Sequence, residues 1–390
     1  MALVPSLMSK IGLRFDNSYA RLPKIMLTEL NPVPVKKPKL ILLNYALSKE
    51  LGLDFSEIDK MNLSNLFSGN SVPEGARFIA QAYAGHQFGY FTMLGDGRAV
   101  LMGEHLTFNN KRFDIQFKGS GQTPYSRNGD GRASLGPVLR EYIISEAMNA
   151  LGIPSTRSLA VVTTGETVMR ESPLPGAVLT RVASSHIRVG TFQYLLAKND
   201  LRTLSRLVDY TINRHFPDTN NSENKASVLF KAVMKKQIEL IINWMRVGFI
   251  HGVMNTDNVA VSGETIDYGP CAFMDVYNPK TVFSSIDYSG RYSFENQPSV
   301  AHWNLLRFAE ALLPLIHDEK NKAIKIVEEI MDSYGGMYKN LWIKMMKNKL
   351  GLLGEDDGDE ELIKSFLLWM KKNDADYTNT FISLTKKNFL

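Results

Sequence analysis

Only one cysteine, Cys271, occurs among the 390 residues. A lone thiol cannot close a disulfide within the chain, and cysteine-based zinc sites are effectively excluded. Set in the apolar run Cys271-Ala272-Phe273-Met274, it reads as a small core residue rather than a reactive nucleophile. No apolar run approaches the ~20 residues of a membrane span, so no membrane partner is expected. The opening MALVPSLMSKIGLRF has no basic leader, long apolar stretch or small-residue cleavage site, and a reducing, cytoplasmic setting is the default expectation. Excess charge is small and dispersed, at +5 net, with no Lys/Arg run interleaved with aromatics. That permits a basic phosphate pocket but gives no nucleic-acid groove. Repeats and low-complexity segments are absent too. What remains is an ordinary globular composition, 44% hydrophobic and 22% charged, long enough for two or three structural units.

One more absence is local. The stretch His251 to Gly269 reads HGVMNTDN, VAVSGETI, DYG. Laid on the kinase pattern H-R-D-x-x-x-x-N followed by D-F-G, His251 takes the place of the His, Asn258 the Asn, and Asp267-Tyr268-Gly269 the D-F-G. The catalytic-base position falls on Val253, which cannot accept a proton. Asp257, Asn258 and Asp267 still offer the hard oxygen donors that Mg²⁺ prefers. The metal-binding half of a phosphate-handling site is present, and its usual base is missing. VAVSGETI between the two halves reads as two short strand pieces about a Ser-Gly turn.

The preceding chain supplies the parts such a site needs. Residues 1–75 read as an extension wrapped on the body, with a Pro-rich linker and a short helix from about Leu40 to Leu51. Next come a Gly-rich turn, Leu94-Gly95-Asp96-Gly97-Arg98, and the alternating strand Phe113-Asp114-Ile115-Gln116-Phe117-Lys118. A carboxylate in that turn would repel phosphate, with Arg98 as the nearest offset. After the polar loop GSGQTPYSRNGDGR, GPVLREYIISEAMNALGI has helical period, with Val138, Tyr142, Ile143, Met148 and Leu151 near one face. Glu141, early in that helix, is the preferred partner for Lys118, and Glu146 competes. Two β-rich runs follow, with turns at Thr164-Gly165-Glu166 and at Pro173 to Gly176; Arg181 and Arg188 are candidate phosphate clamps or simply surface arginines. From about Asp200 the chain becomes helical, with Ile238, Ile241, Ile242, Met245 and Phe249 as one stripe leading into the polar loop. The acidic run GEDDGDEE lacks calcium-loop spacing and reads as a helix start.

Long stretches of text resemble the selenoprotein O (YdiU) family of protein adenylyltransferases. These are YAGHQFG, LGDGRA, FDIQFKGSGQTPYSRNGDGRA, REYIISEAMNALGIPSTRSL, HGVMNTDN, IDYGPCAFMD and DYTNTF. The resemblance implies an α+β, protein-kinase-like two-lobed fold. The N-lobe (76–195) would be β-rich with an αC-type helix, and the C-lobe (196–390) mainly helical. It also implies transfer of AMP from ATP to protein hydroxyls, with ATP flipped relative to kinases. Carried over, the nucleotide contacts fall on Gly95, Gly97, Arg98, Lys118, Asp130, Gly131, Arg181, Arg188 and Asp267. The ion pair falls on Lys118 and Glu141, the base on Asp257, and the metal ligands on Asn258 and Asp267. Mg²⁺, or Mn²⁺ in its place, is the expected metal, ATP the co-substrate, and proteins bearing hydroxyl side chains the partners. Many members carry a cysteine or selenocysteine near their end; this sequence closes on NFL with no cysteine there, a departure from the family pattern that puts redox control through such a residue in doubt. UMP transfer with Mn²⁺, an atypical phosphotransferase and a nucleotide-binding pseudokinase scaffold are the alternatives.

Overall fold

The computed structural model of the chain describes residues 11–219, 224–354 and 356–385. Most of the opening stretch weighed as a leader, and the closing NFL, lie outside them. The chain divides into two compact units: residues up to Thr203 with Glu264–Tyr268, and Leu204–Gly263 with Gly269 onward. The architecture is mixed α and β, a sheet-built unit and a helical one.

In the first unit the strands are β1 (Leu27–Glu29), β2 (Lys39–Leu43), β3 (Ile79–Gln81), β4 (Ala84–Gln87), β5 (Tyr90–Met93), β6 (Ala99–Leu106), β7 (Arg112–Lys118), β8 (Ala133–Ser134), β9 (Arg157–Met169) and β10 (Pro173–Ala183). Eight form one antiparallel sheet in the order β1-β3-β6-β7-β10-β9-β2, with β8 on β10, while β4 and β5 make a separate hairpin. Because strand side chains alternate, register decides which residues share a face. Val100, Met102, Ile115, Phe117, Val162, Val178 and Val182 face helices α1 (Tyr45–Leu51) and α2 (Lys60–Ser68), meeting Leu47, Leu51, Leu63, Leu66 and Phe67. Each such buried side chain contributes about 1.5–3 kcal/mol. The opposite face is covered by α3 (Leu135–Ala150), whose Val138 packs with Val161, Ala177 and Leu179. Directly opposed positions Leu101, Gln116 and Arg181, then Ala99, Lys118 and Leu179, run across this second face. Helix α4 (Val189–Ala197) follows, close behind Arg188.

Several local expectations change. Lys39–Leu43 is a strand pairing β9, and the helix expected from Leu40 begins only after Asn44, whose side chain accepts from Leu47 N at 3.0 Å. Pairing satisfied that stretch's backbone before helix propensity could. Gly165 (φ +70°) lies inside β9, so the anticipated turn at Thr164–Glu166 is an irregularity within one long strand. On α3 the buried face carries Val138, Glu141, Ser145 and Met148, whereas Ile143 and Leu151 are exposed. The apolar stripe misled because the helix turns a charged residue inward.

In the second unit α5 (Leu201–His215), α6 (Lys225–Val247), α7 (Gln297–Ile316), α8 (Lys320–Leu350), α9 (Asp359–Lys372) and α10 (Tyr377–Ser383) surround the short pair β11 (Phe249–Ile250) and β12 (Ala272–Phe273). Helix α5 begins within the first unit, up to Thr203. Helix α6 starts at Asn224, whose side chain accepts from Ser227 N, and stops at left-handed Gly248. Its Ile238, Ile241, Ile242 and Met245 are buried, as is Cys271. Asp359, Glu360 and Glu361 occupy the first turn of α9, where carboxylates favour the positive end of the helix dipole. Among the described residues, no helix is long and apolar enough to cross a membrane.

Candidate active site

Lys118 ends β7, and α3 lies over the same sheet face, so Glu141 meets it: Lys118 Nζ donates to Glu141 Oε2 at 2.5 Å. Glu146 points elsewhere, binding Arg157 through both carboxylate oxygens at 2.9 Å. Arg181, opposite Gln116 on β10, donates to Glu141 Oε1 from Nε (3.0 Å) and Nη2 (2.7 Å). It is 1% exposed and Arg188 2%, so neither is a surface arginine.

Asp267 reaches this cluster because its segment is stitched to the sheet-bearing unit. Thr265 N donates to Pro154 O (2.9 Å), Thr156 N to Thr265 O (3.0 Å), and Ser184 Oγ to Glu264 (2.6 Å), while Ser155 hydrogen-bonds the Tyr268 hydroxyl. VAVSGETI is reduced to isolated bridge residues, Ala260 and Thr265, either side of the Ser-Gly turn, and Thr265 bridges Ser155 in parallel. Asp267 adopts φ +63°, a left-handed conformation uncommon outside glycine. Its Oδ1 accepts from Lys118 (2.6 Å) and Arg181 (2.6 Å), and its Oδ2 lies 3.4 Å from Arg188 Nη1. Burial would raise its pKa, yet Lys118, Arg181 and Arg188 outweigh that and hold it well below the usual carboxylate range. Glu141 is likewise lowered, Arg181 and Lys118 overcoming burial.

A third carboxylate was not assigned to this cluster from sequence. Asp96 is 2% exposed; its Oδ2 accepts from Gln81 N (3.0 Å) and Gln116 Nε2 (3.3 Å), and its Oδ1 is 3.9 Å from Arg188. Here burial wins, and Asp96 is pushed up to about 6 against the pull of Arg188. The offset to Asp96 is thus Arg188 and not Arg98, which is exposed. Tyr83 completes the surround, its ring 4.5 Å from the Arg188 guanidinium. The one signal for Gln116 in the sequence was a polar residue on an inward strand position two before Lys118.

Gly95 and Gly97 flank Asp96 and are packed against Tyr125: a Cβ on Gly95 would lie 2.4 Å from the ring, one on Gly97 2.8 Å from the Tyr125 carbonyl. The polar loop folds over this turn, Thr123 Oγ1 donating to Asp96 O at 2.7 Å and Ser126 to Gly97 O. Gly131 (φ +65°) abuts Gly121. Asp130 pairs with Arg170 at 2.8 Å rather than with the buried cluster.

Asp257, Asn258 and His251 belong to the second unit. His251 is 1% exposed, stacks on Trp244 at 5.3 Å, and accepts from Val253 N through Nδ1. Met254 O accepts from Asn304 (3.0 Å) and Asn255 Oδ1 from the Tyr292 hydroxyl (2.8 Å), so the loop is held on both sides. Asp257 is 7% exposed; Asn258 Nδ2 donates to Val253 O at 3.0 Å, leaving Oδ1 as the amide atom outside that bond.

The donors present suit a hard divalent cation. Asp267 has the most exposed carboxylate of the cluster, 26% against 4% for Glu141 and 1% for Asp96. No three His, Cys, Asp or Glu gather as a ready metal cage among the described residues. Mg²⁺ carried on nucleotide phosphates needs only one or two protein carboxylates, so Asp267 fits it.

The profile of the family described as "Protein adenylyltransferase SelO" matches residues 9–389. The chain belongs to the SelO family. Curated proteins named "Protein nucleotidyltransferase YdiU" are similar to it: 62% identical over 377 residues in Pelagibacter ubique, covering 97% of this chain and 78% of that protein. The Nitrosococcus oceani protein is 61% identical over 379 residues (97% and 77%), and the Anoxybacillus flavithermus protein 60% over 374 (95% and 77%). As a SelO member the chain is an enzyme of the nucleotidyltransferase class, and its substrate is a nucleotide.

Proposed function

We propose that this SelO chain transfers AMP from ATP to Ser, Thr or Tyr hydroxyls of proteins, releasing pyrophosphate. The observation that carries the reading is the buried set Lys118, Arg181 and Arg188 against Glu141, Asp267 and Asp96 on one sheet face. Lys118, Arg181 and Arg188 can add phosphate oxygens to the carboxylate contacts they already make, and a divalent cation on Asp267 would offset the added negative charge. With the nucleotide flipped, its terminal phosphates would meet Arg181 and Arg188 and its α-phosphate would face the acceptor. Asp257 takes the proton as the acceptor oxygen bonds to the α-phosphorus and the bond to the β-phosphate oxygen breaks. Asn258 and Asp267 are the assigned metal ligands; Mg²⁺ bound there would neutralise charge on the departing pyrophosphate. Gly95, Gly97, Arg98, Asp130 and Gly131 remain assigned to the nucleotide, the glycine turn as a positioning element for Asp96.

The same reading makes the fold protein-kinase-like, with 1–75 an extension, 76–195 an N-lobe and 196–390 a C-lobe. An antiparallel sheet bearing Lys118, one helix bearing its Glu141 partner, and a helical second unit bearing the Asp257 loop all support it. Incubation with a test protein and ATP labelled at the α- or the γ-phosphate tests the reaction. Protein label from the α position alone is expected; label from γ alone would mean phosphotransfer, and label from neither would overturn both ATP-dependent readings.

A further inference from the structure

Two glutamines lie on the sheet face that carries the ion cluster, and they are treated differently. Gln116 uses its amide fully, donating to Asp96 and accepting from Arg181 Nη1 at 3.5 Å. Gln81 is 2% exposed, yet neither its Nε2 nor its Oε1 has a hydrogen-bond partner among the described residues. Register fixes where that amide faces. Ile79 opposes Leu101, Leu101 opposes Gln116, and Gln116 opposes Arg181. Gln81, two residues beyond Ile79, is on the same face, while Phe78 packs in the apolar cluster behind the sheet. Its backbone is pinned to the cluster as well: Gln81 N donates to Asp96 Oδ2 at 3.0 Å and Asp96 N to Gln81 O at 2.9 Å. Tyr83, two residues on, stacks against Arg188.

A buried amide with both ends unmet is costly, and such a group calls for a partner from outside the chain, a water or a ligand group. The surroundings say what that ligand is. Lys118, Arg181 and Arg188 draw a polyanion to this face, and Arg188 lies 3.4 Å from Asp267, 3.9 Å from Asp96 and against the ring of Tyr83. A neutral NH₂ adds donors for phosphate without adding charge to a balanced cluster. We propose that Gln81 is a further nucleotide-binding residue, its carboxamide donating to the terminal phosphate of the bound nucleoside triphosphate beside Arg188. The proposal rests on the ATP-dependent reading above.

The test measures dissociation constants of the full chain for Mg-ATP and for AMP, with the thermal midpoint of the nucleotide-free protein, for wild type, Gln81→Leu and Gln81→Glu. Removing a hydrogen bond to a charged group predicts at least about tenfold weaker ATP binding for Gln81→Leu. AMP, which lacks the terminal phosphates, should bind within about twofold of wild type. The midpoint of Gln81→Leu should be unchanged or higher, since a leucine has no unmet polar atoms. Gln81→Glu should weaken ATP further, because it sets a carboxylate against phosphate. Wild-type affinity in Gln81→Leu, or equal losses for ATP and AMP, would overturn the assignment. So would a lower midpoint or failure to fold, which would make the amide, with or without a bridging water, part of the apo structure. If wild type itself fails to bind ATP, the ATP reading falls first; wild type that binds with Gln81→Leu unaffected sinks the Gln81 proposal alone.

Discussion

At the residue scale, Glu141 is the member that holds the cluster together, because it satisfies Lys118 and Arg181 at once. Glu141→Gln would leave Lys118 and Arg181 with Asp267, which Arg188 also contacts, as their remaining carboxylate, and breaking a buried pair costs about 3–5 kcal/mol. We expect a clear loss of thermal stability and weak ATP binding, whereas Glu146→Gln, which loosens only Arg157 and its surroundings, should leave ATP affinity near wild type. A titration in which Glu146→Gln is the more damaging would reverse the assignment. Asp96 provides a pH signature of opposite sign to its neighbours. Its folded pKa, near 6, lies above the ordinary aspartate value of 3.8, so the folded state binds the extra proton between them and stability from this group falls as pH rises through that window. Asp267 and Glu141, with lowered values, contribute stability above the ordinary carboxylate range that is lost as pH falls. Replacing Asp96 by Asn removes the first slope. The stability difference between Asp96→Asn and wild type should move in the variant's favour from about pH 4 to about pH 6, by up to ~3 kcal/mol, and then level off. Chemical denaturation at several pH values reads this directly, and a flat difference would remove the raised-pKa argument.

At the element scale, the Gly-rich turn and the polar loop 119–132 act as one piece. The loop's hydroxyls bind the turn's carbonyls, and Gly131 lies so close to Gly121 that an added Cβ would sit 2.1 Å from a backbone carbon. Backbone cannot rotate away as a side chain can. Gly131→Ala should therefore push the loop off the turn, lowering the thermal midpoint by the equivalent of about 1–3 kcal/mol and weakening ATP binding through Asp96. Wild-type stability in that variant would show that the loop and turn move independently. The same scale explains why α3 was misjudged. Its hydrophobic periodicity located the helix but could not reveal that the inward face would spend a position on Glu141, since that depended on Arg181 arriving from β10.

At the scale of the whole molecule, the proposed roles fall on residues of both units. Lys118, Arg181, Arg188 and Asp267 belong to the first, Asp257 and Asn258 to the second. Asp257→Ala should cut AMP transfer by at least about two orders of magnitude, the usual worth of a positioned base, while ATP affinity falls far less. Asp267→Ala should lower both metal-nucleotide affinity and transfer. Label-transfer rates set beside ATP titrations separate the two, and an Asp257→Ala protein that loses ATP binding as well would place that residue with the nucleotide instead. Sequence alone determined the family, the order of chemical parts and the Lys118–Glu141 preference, because these are carried by residue types at fixed spacing. The missing base at Val253 was equally plain from position. Tertiary structure decided what spacing cannot encode: that Arg181 and Arg188 are buried, that Asp96 answers to Arg188 rather than Arg98, that Lys39–Leu43 is a sheet edge, and that Gln81 shares the sheet face of Gln116 and Arg181. Each depends on pairing or packing between segments far apart in the chain, set by long-range contact and burial, which no local pattern contains.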